Sequence, residues 1–218
     1  MARRFRPLSA DRVGELPGVC AGCVLWESGD RLVEFRCGSV CDAERASAWV
    51  REVSSTWGEP GRMAVEDGQV LGFIKYAPPE RFPQAGNMPA GPPEPATPLI
   101  ACMHIATDAR RRGLGKVLMQ AALRDLHQRG ERAVQAYATT RQGGFSASPV
   151  VGVEFLLRMG FAVAKPHPEL PLMRLDLRSL AAWTENLEAV LESLRIPIGV
   201  VPRAPVTSLV DADAEGAR

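Results

Sequence analysis

The chain has 218 residues, of which 46% are hydrophobic and 23% charged, enough for one generous globular domain with additions. Its formal net charge of +1 argues against a dedicated nucleic-acid binder, which carries a large basic excess. No run approaches the ~20 apolar residues of a membrane helix, and the basic start MARRFRPLSADRVGEL has no apolar core, so neither a membrane span nor a secretory leader is expected, and the expected location is the cytoplasm.

Residues 1–18 show no period and are expected to be loosely ordered. Cys23–Glu27 and Leu32–Cys37 predict two short strands around the turn Ser28-Gly29-Asp30. Asp42 is a candidate N-cap for a helix in which Ala46, Trp49, Val50 and Val53 recur at helical spacing before Gly58. Arg62–Ala77 predicts a hairpin, because Asp67-Gly68 between two apolar runs is the preferred type I′ turn. Residues 77–98 are crowded with Pro and Gly and predict a long loop of the kind that forms lids or binding loops. Leu99–Thr107 is a continuous apolar run with one histidine, a buried central strand.

Leu114, Val117, Leu118, Ala121, Ala122 and Leu126 then mark one helix face, ending near Gly130. A strand over 132–139, a Gly/Ser loop over 141–149, a short helix stopped by Gly160 and an alternating strand over 172–177 follow. Residues 179–195 are amphipathic and predict a helix ended by Pro197. The division expected is a domain over 19–195 and a tail over 196–218. The order β-β-α-β-β, loop, β-α-β-α-β-α predicts an α+β domain around a mixed sheet.

The chemistry concentrates where the buried strand meets the helix, at Arg110-Arg111-Arg112-Gly113-Leu114-Gly115. First-turn amides of a helix have no intrahelical partner, the positive end of the helix dipole lies there, and glycines let an anion approach the backbone. Together these make a diphosphate site, with the arginines and Lys116 adding charge. The alternative is a solvated, charged helix start. Neither the P-loop spacing nor G-x-G-x-x-G occurs.

RRRGLG resembles the [R/Q]-x-x-G-x-[G/A] signature of the GNAT superfamily of N-acyltransferases. Met103-His104-Ile105 resembles the strand end before that signature, and Val153–Phe161 resembles the family's second motif, a helix ending in Gly-Phe. The likeness runs from about Cys23 to Leu177. LPGVCAGCVLWE and KPHPELP also resemble an actinobacterial-type branch of these proteins.

The resemblance implies a mostly antiparallel central sheet flanked by helices, with a V-shaped splay between its central strands. It implies acetyl-CoA as co-substrate, lying between the strands at 99–107 and 133–138. The strand end Ile105-Ala106-Thr107 would hold the pantetheine arm and polarise the thioester. Backbone groups from Arg111 to Lys116, with Arg110, Arg112, Gly113, Leu114 and Gly115 in the same turn, would bind the pyrophosphate. Phe155 and Arg158 would flank the thiol side. The acceptor implied is a primary amine, on a small molecule or a protein, with neither nucleic acid nor membrane as partner; a homodimer stays open.

Direct transfer needs the amine to lose a proton, and an ordinary lysine-type amine has a pKa of about 10.4. His104 is a candidate base, its ring titrating in the right range, or else a core histidine if helices cover its face. Tyr137 on the neighbouring strand is a candidate acid or water holder, or a packed strand tyrosine. Glu66 and Glu154 read as surface carboxylates, and His127 and His167 as solvated. Many GNAT enzymes place a tyrosine four residues before the Gly of Gly-Phe; here that position is Leu156, which puts the usual acid in doubt. The rival reading is therefore a catalytically weak or inactive GNAT-fold module that binds acyl-CoA.

Cys20, Cys23, Cys37 and Cys41 have the spacing C-x2-C-x13-C-x3-C. Structural zinc and a redox pair are both compatible with it, and plain packing of small thiols is favoured, so no metal ligand is assigned.

Overall fold

The computed structural model describes residues 4–29, 35–141 and 149–180, all within the unit Met1–Leu180. The strands are β1 (Arg4–Pro7), β2 (Gly61–Glu66), β3 (Gln69–Ala77), β4 (Leu99–Ile105), β5 (Ala133–Thr139), β6 (Val151–Gly152), β7 (Ala162–Lys165) and β8 (Leu172–Asp176). The α-helices are α1 (Ala43–Thr56), α2 (Leu114–Gln128) and α3 (Val153–Arg158). Among the described residues the sheet order is β1-β2-β3-β4-β5-β8-β7, with β6 added to β5. Pairing is antiparallel except for β4–β5 and β5–β6.

Local sequence explains most of these elements. Asp42 caps α1 by accepting the Arg45 N–H at 2.9 Å, with no capping-box glutamate. Asp67 and Gly68 both take positive φ, 49° and 86°, as a type I′ turn requires. α2 buries Leu114, Leu118, Ala122 and Leu126 along one stripe. Two apolar layers result. One, under α1 and the N-terminal segment, contains Leu8, Trp26, Trp49, Phe73, Cys102 and Tyr137. The other, under α2 and α3, contains Ile74, Tyr76, Met103, Leu118, Leu156 and Met173.

A buried ionic cluster pins α2 to the sheet. Asp125 accepts from Arg62 at 2.6 Å, from Arg129 at 2.8 Å and from the Tyr76 hydroxyl. The Arg129 guanidinium also lies 4.6 Å from the Trp57 ring centroid.

β4 and β5 pair only at Leu99↔Gln135 and Ile100↔Ala136. Beyond that point β5 takes β8 on one edge and β6 on the other, through Ala138↔Val151 and Thr139↔Gly152. The central strands therefore splay, and the later half of β4 borders a gap. A register shift opposite Lys75 and Tyr76 leaves Ala101 unmatched, so Ala101 and Cys102 both face the first apolar layer.

Several expectations need correction. Residues 4–7 are an edge strand paired with β2, and residues 10–15 form a 3₁₀ turn; β1 is mostly exposed, so it carries no apolar period. Cys23–Glu27 is not a strand: Cys23 makes an isolated bridge with Cys41, and Val24, Leu25 and Trp26 turn inward, each 1% exposed or less. The expected partner strand falls partly outside the described residues, and Phe35–Cys37 is not extended into a ladder.

The Pro-rich segment contains two 3₁₀ turns, at 79–81 and 83–87, and buries Phe82, Gln84, Ala85 and Met88. The Gln135 side chain anchors its far end through Glu94 and Thr97. The helix after Val150 begins only at Val153, because Val151 and Gly152 pair with β5. β7 was not anticipated. The helix expected over 179–195 overlaps a 3₁₀ turn, Leu177–Leu180, at its first two residues; the rest of it, the tail, and most of the loop at 141–149 lie outside the described residues.

Candidate active site

An open cleft of about 810 Å³ lies where the strands part, lined by the end of β4, the start of α2, and β6 with α3. Arg110, Arg111, Lys116 and Arg158 bring positive charge to it, and among the described residues no carboxylate belongs to the lining. Met103, Ile105, Val151, Phe155 and Met159 form an apolar stretch beside that charge. The cleft thus pairs an anion-seeking end with an apolar channel.

The basic end is made by backbone shape. Arg111 has φ 62° and Gly113 φ 73°, so alternate residues before α2 are left-handed and their amides turn outward. α2 starts at Leu114 with no side chain capping its amides. Gly113 is exposed, with nothing within 4 Å of where a Cβ would stand. A Cβ on Gly115 would make only ordinary contacts, 3.5 Å to Met103 Cε and 3.9 Å to Phe155 Cε2. The protein's own packing therefore does not demand glycine at 115; a side chain there would fill the cleft. That open floor fits the pyrophosphate of a nucleotide-type ligand.

The apolar end is made by the splay. Ala106 N–H bonds Leu71 O at 2.8 Å on the β3 edge. By strand alternation, the backbone groups of Met103 and Ile105 point to the other edge, into the gap that β5 has left. Arg110 Nε already uses the Ile105 carbonyl, at 3.0 Å, tying the arginine run to the strand end.

The cleft gathers Ile105, Arg110, Arg111, Gly113, Leu114, Gly115, Lys116, Phe155 and Arg158 of the expected donor-site residues. Ala106, Thr107 and Arg112 are not in its lining. Met103, Ala109, Val151, Gly152 and Met159 also line it and were not anticipated. Met103 was within reach of sequence reasoning, since it shares a face with Ile105. Met159 was too, one helical turn after Phe155.

His104 does not line the cleft. It pairs with Phe73 across β3–β4 and so points to the α1 face, half-buried. Burial, with the Arg110 charge behind it, lowers its pKa below 6.5, which keeps the ring neutral at pH 7. The Tyr137 hydroxyl donates to Gly91 O at 2.6 Å and Ala85 O at 3.2 Å, so it clamps the Pro-rich segment. Its ring stacks on Trp26 at 6.1 Å, and burial raises its pKa, which holds the proton in place. Leu156, in the family's tyrosine position, is fully buried in the α2–α3 layer. Glu66 is half-buried, Glu154 is exposed beside Arg158 at 3.9 Å, and His167 Nδ1 accepts the amides of Glu169 and Leu170.

Among the described residues, no group of three His, Cys, Asp or Glu side chains could hold a metal ion, and no helix is long and apolar enough to cross a membrane.

Comparison with known proteins supplies independent findings. A comparison with curated proteins found no match. An N-acetyltransferase from Staphylococcus aureus Mu50 shares the fold at a TM-score of 0.55 and 16% identity, over 81% of this chain and 99% of that one. The yncA protein of Salmonella typhimurium, solved with its cofactor acetyl-CoA, aligns at 0.53 and 15% identity, over 81% and 95%. The loading GNATL domain of CurA from Lyngbya majuscula aligns at 0.53 and 13% identity, over 82% and 100%. The sequence pattern of the acetyltransferase (GNAT) family matches residues 26–161. The chain belongs to the GNAT acetyltransferase family.

Proposed function

We propose that this chain transfers an acetyl group from acetyl-CoA to a primary amine by direct attack. The observation that carries the reading is the cleft at the β4–β5 splay, with, among the described residues, four cations and no carboxylate, and a floor of open glycine backbone. The pyrophosphate would sit on the amides from Arg111 to Lys116, with Arg110 and Arg112 adding charge. The pantetheine arm would run along Met103, Ile105, Ala106 and Thr107 and under Phe155, with Arg158 at the rim.

In the transfer, the amine nitrogen bonds to the thioester carbonyl carbon and the carbon–sulfur bond breaks, its electron pair leaving with sulfur. His104 is the proposed acceptor of the amine proton. Its neutral ring supports that role, and its position on the face opposite the donor cleft would place the acceptor there. Tyr137 is assigned to holding the acceptor-side segment rather than to proton transfer, given its two carbonyl partners.

One observation favours a second reading, an acyl-CoA-binding module with little turnover: the buried Leu156 offers the departing sulfur no proton. Incubation with acetyl-CoA and a panel of primary amines, reading released thiol, separates the two. Amine-dependent thiol release that falls at least tenfold in His104→Gln supports the transferase. Coenzyme A binding without release on any amine supports the module, and absence of binding overturns both.

A further inference from the structure

The sheet face opposite the cleft holds a small cavity of about 30 Å³ lined in part by Cys20, Cys23, Cys37 and Cys102. The acetyl transfer proposed above uses none of them. The Cys37 thiol sits against those of Cys23 and Cys20. Backbone pairing forces this approach. Cys23 and Cys41 form an antiparallel bridge, flanked by Val24 N–H to Val40 O at 3.0 Å and Asp42 N–H to Gly22 O at 2.7 Å. A turn, Ser39 N–H to Arg36 O at 3.1 Å, then folds Cys37 back, and the adjacent Gly38 N–H donates to Cys23 Sγ at 3.4 Å.

We propose that Cys23 and Cys37 form a reversible disulfide when the protein meets a peroxide, making this face a redox-responsive site separate from the donor cleft. Cys23 and Cys37 are half-buried and their thiols touch, Cys20 and Cys102 are buried, and the exposed Cys41 turns its thiol to Gly38 O at 3.5 Å, so Cys23 and Cys37 are the contacting pair with a path to solvent. The contacts run as a chain, Cys20 to Cys37 to Cys23.

With hydrogen peroxide, one sulfur attacks a peroxide oxygen and the O–O bond breaks, giving a sulfenic acid and one water. The second sulfur attacks the first, the S–O bond breaks, and a second water leaves. Two electrons pass from the sulfurs to the peroxide, and both thiol hydrogens end in water. The amides of Gly38 and Leu25 bond to the Cys23 sulfur and partly offset the rise in its pKa. Contact with neighbouring thiols, together with burial, raises both pKa values, that of Cys37 to about 12. The pair therefore rests as a dithiol at neutral pH and oxidises slowly.

The test is intact mass and peptide mapping of the reduced full-length chain before and after hydrogen peroxide. The expected result is loss of the mass of two hydrogens, a Cys23–Cys37 linked peptide and reversal by dithiothreitol. The loss should vanish in Cys23→Ser and Cys37→Ser and persist in Cys41→Ser. If a variant fails to fold, the map of the unsubstituted chain still decides. Unlinked thiols after treatment, oxidation to sulfinic acid without a link, or a link between other cysteines overturns the proposal. So does stoichiometric zinc in protein purified without chelators. Coenzyme A affinity, read by calorimetry, should be the same in both redox forms; a tenfold change overturns the separation of the two sites.

Discussion

On the α2–α3 face, Arg110, Arg111, Lys116 and Arg158 line an open cleft whose described lining contains no acid. On the α1 face, Lys75 is buried against Glu27 at 2.6 Å, with the Trp49 ring centroid 5.2 Å from its ammonium. The first arrangement lies along an open cleft, where Arg158 has Glu154 at 3.9 Å and Arg110 donates to the Ile105 carbonyl. The second closes on itself: burial opposes the Lys75 charge, yet Glu27 outweighs burial and holds its pKa above the ordinary range. Charge along an open cleft and charge that holds a core together thus lie on opposite sides of one sheet.

Breaking the closed side should have the largest effect. Glu27→Ala leaves a buried ammonium without its partner and should cost about 3–5 kcal/mol in chemical denaturation. The double change Glu27→Leu with Lys75→Met should recover most of that loss. Because the folded pKa of Lys75 is raised, the pair's contribution is complete below about 10.5 and declines only as pH climbs through the raised value, so no pH dependence from it is expected near neutrality.

On the open side, stability and binding should part. Gly115→Ala adds a good helix former with ordinary contacts, so stability should hold or rise by up to about 1 kcal/mol. Coenzyme A affinity should fall at least about tenfold, or ~1.4 kcal/mol, because the new methyl occupies the floor of the cleft. Parallel calorimetry and thermal melts would expose the opposite signs; an equal loss of both would mean that the glycine serves packing.

His104 gives a pH test. Its folded pKa is lowered, so the unfolded chain binds the proton first and stability should drop as pH falls below 6.5. His104→Gln should flatten that slope in denaturation curves taken across pH. If His104 is the base, the acid limb of kcat/KM should lie below 6.5 and vanish in the same variant. The smallest effect expected is Lys116→Ala, an exposed charge: a few-fold weaker coenzyme A binding that shrinks further in added salt.

The same contrast explains what the residues disclosed in advance. Most of the candidate donor site is contiguous, a strand end, a turn with Gly113 and Gly115, and a helix start, so local chemistry announces that part; β6 and α3 complete the cleft from further along the chain. The Asp67-Gly68 hairpin and the Asp42 cap were readable for the same reason. The α1 face is assembled from Glu27, Lys75, Cys37, Cys102 and Tyr137, residues far apart in the chain whose meeting depends on strand order. Neither the inward turn of Val24–Trp26 nor the Tyr137 clamp on Gly91 carries any local period. β1 escaped notice because its backbone, and not an apolar face, holds it to β2. Val151 and Gly152 read as the start of a helix, since nothing local shows that β5 would capture them.

The donor cleft is the central claim, and isothermal titration of coenzyme A into the unsubstituted chain and into Gly113→Glu tests it most directly. Gly113 is exposed with open space around it, so the folded state should survive, while a carboxylate is placed where the pyrophosphate is expected. Saturable one-to-one binding by the unsubstituted chain and its collapse in the variant is the predicted result. No binding by the unsubstituted chain, or equal affinity in a folded variant, would contradict it.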